Sequence, residues 1–194
     1  FKDDGNQGFL INKKDLFANK DHVVFIVMKL DSIYNGPIYG SKGMPSKMES
    51  RLHVGFNKNG ASNFSGTAAY IINYWGNNYN PIASHDFQTK LTTEFVIVAF
   101  HWETGKGKHV YENGLKHKGK PGMYWGDSYY HNDPIGSMDY GACLGNPING
   151  SQGSFSGDIK EFIVITDEIG ESGTLIKKEL INNINDNLMA KYNI

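Results

Sequence analysis

Apolar residues gather in short stretches whose lengths and residue types are typical of strands. Residues 22–30 (HVVFIVMKL) and 94–102 (EFVIVAFHW) are almost wholly apolar and rich in β-branched and aromatic side chains, which predicts two core strands. Asn113-Gly114 between two short strands favours a type I′ turn, because both central residues tolerate positive φ. We therefore expect a three-strand meander over 94–118. Further strands are predicted at 51–56, 67–75, 141–145 and 154–166.

The last part of the chain has a helical pattern instead. From Thr174 onward, apolar residues recur at every fourth position, which predicts one amphipathic helix. Either Thr174 or Ser172 is expected to be its N-cap. A chain of 194 residues suits one domain covering 1–194. The recurring apolar residues are Ile176, Leu180, Ile184 and Leu188.

Charge and hydropathy exclude two classes of partner. The chain has 19 Lys and Arg against 20 Asp and Glu, so no basic excess exists to neutralise phosphates, and nucleic acid is not expected. No apolar stretch approaches the length of a membrane span, so membrane insertion is not expected either. The sequence begins at a phenylalanine, as a processed form or a piece of a larger protein would.

Four motifs follow one another in a recognisable order. They are KHVYENGLK at 108–116, Cys143-Leu-Gly145, the stretch FSGDIKEFIVI at 155–165, and a helix ending in LMAKY at 188–192. In this order they resemble the concanavalin A-like lectin and glucanase superfamily, and within it the laminin-G-like domains of bacterial and viral type. The resemblance implies an all-β fold: a two-sheet antiparallel jelly-roll sandwich with a short C-terminal amphipathic helix. It does not imply one function, because function lies in the loops of such folds.

Paired carboxylates for glycoside hydrolysis are missing from the sequence. Hydrolases of the resembling superfamily place them as Glu-x-Asp-x-x-Glu on one strand, and no such string occurs. Asp158 and Glu161 come nearest but have opposite strand parity, so they cannot share a cleft unless a bulge intervenes. Glu161 shares a face with Ile159 and Ile163, and we interpret it as a structural group that accepts hydrogen bonds inside the sandwich. The chain is therefore predicted not to be an enzyme.

A polysaccharide lyase of the same superfamily needs an arginine, a histidine and a tyrosine at a set spacing. Arg51, His53 and Tyr70 supply these residue types but not the spacing. No cofactor is required by the sequence. Zinc is not expected, because no histidines stand at zinc-ligand spacing. Calcium is the one metal considered: Asp127 and Asp133, with Asp139 following, offer hard oxygen ligands, although an ordinary polar loop is the favoured interpretation.

Two loops combine aromatic rings, amides and glycines in the way that sugar binding requires. The irregular stretch 119–140 contains the first, at 123–133, and 74–81 is the second. A ring stacks on the apolar face of a sugar while amides and carboxylates bind its hydroxyls. The alternative is that Trp75 and Trp125 fill the ends of the sandwich. The predicted ligand contacts are Tyr124, Trp125, Asp127 and Asn132, followed by Trp75 and Asn77.

The leading hypothesis is a non-catalytic recognition or adhesion module that binds carbohydrate or another surface ligand through loops at one rim. It would belong to a larger surface or virion protein, so we expect an extracellular, cell-surface or virion location. The alternative is a structural virion domain of a capsid, tail or fibre, with homo-oligomer or virion partners, because Tyr- and Trp-rich loops also suit protein interfaces. A polysaccharide-cleaving enzyme is the third hypothesis.

Overall fold

A computed structural model describes twelve segments of the chain, and every structural statement below concerns them. They are residues 9–11, 15–18, 20–32, 36–41, 51–57, 69–75, 83–86, 93–103, 107–116, 142–145, 155–168 and 176–194. The elements are β1 (Phe9–Ile11), β2 (Lys20–Leu30), β3 (Gly36–Ser41), β4 (Arg51–Asn57), β5 (Ala69–Trp75), β6 (Ala83–Asp86), β7 (Val96–Glu103), β8 (Gly107–Glu112), β9 (Leu115–Lys116), β10 (Ala142–Leu144), β11 (Gly157–Glu168) and α1 (Lys178–Tyr192).

The strands form two antiparallel sheets, as predicted. Sheet A has the order β1-β10-β3-β4-β5-β6, and sheet B has the order β11-β2-β7-β8-β9. The predicted meander is confirmed as β7-β8-β9. Its turn is confirmed too, because Asn113 and Gly114 have φ values of 47° and 78°, the signs that a type I′ turn requires. The sequence pattern gave no strands at β1, β3 and β6.

The two core strands of sheet B are buried on both faces. Val24 and Ile26 of β2 face the space between the sheets with Phe100 of β7. Val23 and Phe25, on the opposite face, pack with residues of α1. A strand covered on both sides needs apolar residues at consecutive positions, which explains the unbroken apolar run of β2.

The core between the sheets is rich in aromatic rings. Tyr39 of sheet A contacts Phe100 and Phe162 of sheet B edge-on, with ring centroids 5.9 Å apart in both pairs. Phe17 lies 6.0 Å from Tyr39 and 4.5 Å from His22, measured between ring centroids. Edge-to-face aromatic pairs at such distances stabilise beyond the area they bury, so this cluster fixes the two sheets against each other.

Hydrogen bonds extend the pairing of β2 with β11 beyond the ends of these two neighbouring strands of sheet B. The N–H of Asp31 donates to the carbonyl of Ser156, and the Ser156 hydroxyl donates to the Asp31 carboxylate at 2.7 Å. Gly157 has φ of 150°, and a Cβ there would overlap the carbonyl oxygen of Lys29. Only glycine suits that position, so the glycine of the FSGDI motif lets β11 begin directly against β2.

The predicted N-cap of the helix is wrong. α1 begins at Lys178, and Lys177 is its N-cap without a side-chain capping hydrogen bond. Thr174 and Ser172 lie outside the described residues. The apolar pattern placed the start of the helix too early, because Ile176 continues the pattern but precedes the first helical residue. Ile176 is buried against sheet B all the same. The helix ends at Asn193 in the left-handed conformation, φ 55°, a common helix terminus.

Candidate functional site

Both predicted ligand loops are connected to strands at the same end of sheet A. Ser41, the last residue of β3, pairs with Ala142, the first residue of β10. Arg51, the first residue of β4, pairs with Trp75, the last residue of β5. The segments 42–50 and 76–82 therefore begin at this end of the strands, and the segment 117–141 leads into it. We call this end of sheet A the loop end.

Most of the predicted contact residues lie outside the described residues. These contacts are Tyr124, Trp125, Asp127, Asn132 and Asn77, and the predicted calcium ligand Asp133 also lies outside. The backbone of Trp75 is described, and it places this residue at the loop end of β5. The ligand contacts and the calcium ligands therefore stay predictions. The structure adds that the segments 76–82 and 117–141 both connect to the loop end of sheet A.

The alternation of β4 separates a polar face from an apolar face. Tyr39, whose side chain lies between the sheets, pairs with Val54. Directly opposed residues occupy the same face of a sheet, and neighbours along a strand alternate. Val54 is therefore on the inner face of sheet A, and Arg51 and His53 are on the outer face.

Four residues consequently share the outer face of sheet A near the loop end. Arg51 is opposite Trp75, and His53 is opposite Asn73. Opposed residues in an antiparallel pair have Cβ atoms about 4.5–5.5 Å apart, so the four positions form one compact patch. We call Arg51, His53, Asn73 and Trp75 the outer-face cluster.

The residue types of the outer-face cluster suit an acidic sugar. A guanidinium binds a carboxylate with two parallel hydrogen bonds, and an asparagine amide both donates to and accepts from hydroxyls. An indole ring provides an apolar surface for stacking. Sequence reasoning missed the cluster because Arg51 and His53 were weighed as lyase residues and Trp75 as a loop contact. The polar-apolar alternation of 51–57 was the signal that could have joined them.

The strand register does not bring the three candidate lyase residues to one face of the sheet. Tyr70 pairs with Phe56, which has the same parity as Val54, so Tyr70 is on the inner face of sheet A. Arg51 and His53 are on the outer face. The three residue types therefore lie on two sides of the sheet.

Glu161 is structural, but its predicted surroundings were wrong. The register between β11 and β2 shifts between Ile159 and Glu161, so Lys160 is an extra residue at a β-bulge. Ile159 packs between the sheets, whereas Ile163, which shares the face of Glu161, packs with α1. Glu161 is therefore on the helix side of sheet B and not inside the sandwich.

Helix α1 engages the Glu161 carboxylate directly. One oxygen, Oε2, accepts hydrogen bonds from the Lys191 ammonium and the Tyr192 hydroxyl, each at 2.7 Å. These two donors lower the pKa of Glu161, and the hydrogen bond to the Glu161 carboxylate raises the pKa of Lys191. The bulge also brings Asp158 to the face of Glu161, since Asp158 pairs with Lys29 and Glu161 with Val27. Because two donors bind the Glu161 carboxylate, Asp158 and Glu161 do not resemble the carboxylate pair of a glycoside hydrolase.

Histidines lie side by side on the central strands of sheet B. The rings of His101 and His109 are 5.8 Å apart between centroids, and His22 stacks on Trp102 at 6.2 Å. Complete burial, aided by the nearby His101, lowers the pKa of His22 to about 3, so His22 is neutral at physiological pH. Within the described segments, no three His, Cys, Asp or Glu residues are grouped in a way that could hold a metal ion.

No protein-family model matches the chain, and no curated protein matches its sequence. Solved structures do match. The CBM40 module of a Ruminococcus gnavus IT-sialidase, bound to α2,3-sialyllactose, superposes with a TM-score of 0.62 at 12% identity and covers 95% of this chain and 94% of that chain. This chain has the fold of a sialidase CBM40 module.

Whole sialidases match over a part of their length. The NanB sialidase of Streptococcus pneumoniae has a TM-score of 0.60 at 13% identity, covering 94% of this chain but 27% of that chain. The leech intramolecular trans-sialidase has a TM-score of 0.58 at 13% identity, covering 88% of this chain and 25% of that one. The likeness thus extends over a whole CBM40 module and about a quarter of these sialidases.

These matches confirm the β-sandwich jelly-roll fold. Membership of the concanavalin A-like superfamily, and the laminin-G-like type within it, stays a resemblance. The virion location, the structural alternative and the oligomeric partners stay predictions from sequence. The helix among the described residues, α1, is too short and too polar to span a membrane.

Proposed function

We propose that this domain is a non-catalytic carbohydrate-binding module whose ligand is a glycan ending in an acidic sugar. The supporting observation is the end-to-end likeness to a CBM40 module solved with α2,3-sialyllactose. Because sequence identity is only 12%, the ligand class needs support from the residues of this chain. The outer-face cluster supplies it.

In this proposal the outer-face cluster is the centre of the site. Arg51 binds the sugar carboxylate, Trp75 stacks on the apolar face of the ring, and Asn73 binds hydroxyls. The other predicted contacts, in the segments that join the sheet at the loop end, complete the rim: Tyr124, Trp125, Asp127, Asn132 and Asn77. We expect the module to work extracellularly or at a surface, where such glycans are found.

Binding is measured by titration calorimetry with α2,3-sialyllactose, and lactose is the matched ligand without the acidic sugar. Arg51→Ala should weaken sialyllactose binding by about tenfold or more, since a hydrogen-bonded charged pair contributes about 1.5–3 kcal/mol. Trp75→Ala should weaken it similarly. Lactose should bind weakly to every variant.

Asn57→Ala is the matched control. Asn57 has the parity of Arg51 on β4 but lies at the opposite end of the strand, about 20 Å away at the usual rise per residue. Its replacement should leave affinity unchanged. Loss of binding in Trp125→Ala alone, with Arg51→Ala unaffected, would move the site to the 123–133 loop. Failure of the wild-type protein to bind any sialylated glycan would reject the proposed ligand class.

Calcium belongs to the proposal as a rim ion held by Asp127 and Asp133. The same titration in the presence of a chelator tests it. If calcium orders the rim, chelation weakens glycan binding and added calcium restores it, and the paired variant Asp127→Asn with Asp133→Asn no longer responds. Equal affinity with and without chelator removes calcium from the site.

A further inference from the structure

The turn between β8 and β9 holds an asparagine directly before a glycine. This is the pair at which an asparagine side chain cyclises most easily, because glycine leaves the attacking backbone nitrogen unhindered. The sequence contains four such pairs: Asn35-Gly36, Asn59-Gly60, Asn113-Gly114 and Asn149-Gly150. Asn113-Gly114 lies wholly within the described residues.

Cyclisation needs the Gly114 nitrogen to reach the Asn113 side chain. The nitrogen attacks Cγ, a new N–Cγ bond forms, the bond from Cγ to the amide nitrogen breaks, and ammonia leaves. Water then opens the five-membered succinimide at one of its two carbonyls. One opening gives aspartate, and the other gives isoaspartate, in which the main chain passes through the side-chain carbonyl.

The folded turn keeps the reacting atoms apart. In a type I′ turn the first central residue has ψ near +30°, which places the next nitrogen nearly opposite Cβ about the Cα–C bond. Two hydrogen bonds fix this arrangement. The Asn113 N–H donates to the Ile97 carbonyl, and the Ile97 N–H donates to the Asn113 side-chain oxygen, both at 2.9 Å. We call these two bonds the Ile97 clamp.

Helix α1 packs directly against the same turn. A Cβ at Gly114 would lie 2.6 Å from the side-chain nitrogen of Asn185. Asn185 is itself buried, and its amide donates to the sulfur of Met189 at 3.2 Å. Rotation of the Asn113–Gly114 peptide therefore requires both release of the Ile97 clamp and separation of the turn from α1.

We propose that Asn113 is a deamidation site that the folded hairpin protects, and that its conversion to isoaspartate follows release of the turn from Ile97 and α1. The product inserts an additional main-chain carbon into a two-residue turn. The chain then no longer presents the N–H and the side-chain oxygen to Ile97 at their native spacing. Each opening that ends in reaction thus leaves a permanent defect at the contact between hairpin and helix.

The test compares rates of deamidation in the folded and the urea-unfolded protein at mildly alkaline pH. Peptide mapping by mass spectrometry follows Asn113, and enzymatic methylation of isoaspartate identifies the product. The rate in the folded protein should be at least about tenfold lower, because it scales with the small population of the opened hairpin. Equal rates in the two states would overturn the proposal.

Two asparagines of α1 provide a matched pair of variants. Asn185→Ala should raise the rate at Asn113 in the folded protein severalfold and leave the rate in urea unchanged. Asn187→Ala, at an exposed position of the same helix, should change neither. Identical rates for the two variants would exclude α1 from the protection. Should Asn185→Ala not fold, the wild-type rate is followed through increasing urea below the unfolding transition, where a rise supports local opening and a constant rate contradicts it.

Discussion

Strands β2 and β4 show how differently two strands of one sandwich can be used. β2 has apolar residues at consecutive positions, and its side chains are buried both between the sheets and under α1. β4 alternates, with Leu52, Val54 and Phe56 on one parity and Arg51 and His53 on the other. Polar residues at alternate positions suit a strand with one face outside the core between the sheets. Sheet B therefore carries α1 on its outer face, and the outer face of sheet A carries the cluster that we propose for ligand binding.

The largest loss of stability is expected when a large buried side chain is removed from either face of sheet B. Phe25→Ala, under α1, and Phe100→Ala, between the sheets, should each lower the free energy of unfolding by about 3–5 kcal/mol. Urea denaturation gives the values. Leu115→Ala, at a side chain 71% exposed, is the control and should change stability by less than about 0.5 kcal/mol. A cost below about 1 kcal/mol for Phe25→Ala would mean that α1 is not an essential cover.

Neighbouring residues of β5 test the contrast on sheet A. Ile72 pairs with Val54 on the inner face, and Asn73 pairs with His53 on the outer face. Ile72→Ala should lower the free energy of unfolding by about 2–5 kcal/mol, whereas Asn73→Ala should change it by less than about 0.5 kcal/mol. Thermal and urea unfolding measure both. Equal costs would show that the two faces of sheet A are covered alike.

Acid should destabilise the inner face of sheet B through His22. Its pKa of about 3 in the folded protein lies below the unfolded value of 6.5, so between these pH values the unfolded chain binds more protons. The contribution of His22 to the free energy of unfolding therefore falls as pH decreases from about 6.5 towards 3, by about 1.4 kcal/mol per pH unit. Unfolding of wild type and His22→Gln across this range isolates the effect, and parallel curves would contradict it.

The smallest effect is expected at the contact between α1 and the bulge of β11. Glu161→Gln removes the charge that Lys191 and Tyr192 approach and should cost about 0.5–1 kcal/mol, as for other partly exposed ion pairs. Folding lowers the pKa of Glu161. The ion pair therefore contributes to the free energy of unfolding at pH values above the ordinary pKa of a glutamate, and this contribution is lost as the pH falls below that pKa. Added salt should reduce the difference between the variants, and a salt-independent difference would point to packing instead.

The sequence predicted the parts of the fold whose local signals agree with the tertiary structure. The apolar runs of β2 and β7 and the Asn113-Gly114 turn are of this kind. It missed three short strands. β1 has only three residues, and β3 and β6 contain residues that are rare in strands, Gly36 and Pro37 in β3 and Asp86 in β6. The bulge at Lys160 left no mark in the sequence, so the side of Glu161 was assigned wrongly.

The site was harder to predict than the fold, for a physical reason. A ligand surface on a sheet is assembled from residues opposite one another on different strands, and Arg51 and Trp75 meet only once the register is known. Loop residues such as Trp125 were easier to notice because aromatic residues and glycines stand together in the chain. Those residues remain a prediction, and the register added the outer-face cluster.

The position of β2 between β7 and β11 has a consequence for biosynthesis. The pairing of β2 with β11 joins residues separated by most of the domain, so it forms late and raises the contact order. Until the ribosome has released β11, one hydrogen-bonding edge of a very apolar strand is unpaired, and such edges attract other chains. We therefore expect a truncated nascent chain ending before Gly157 to depend on chaperones, and the completed chain not to.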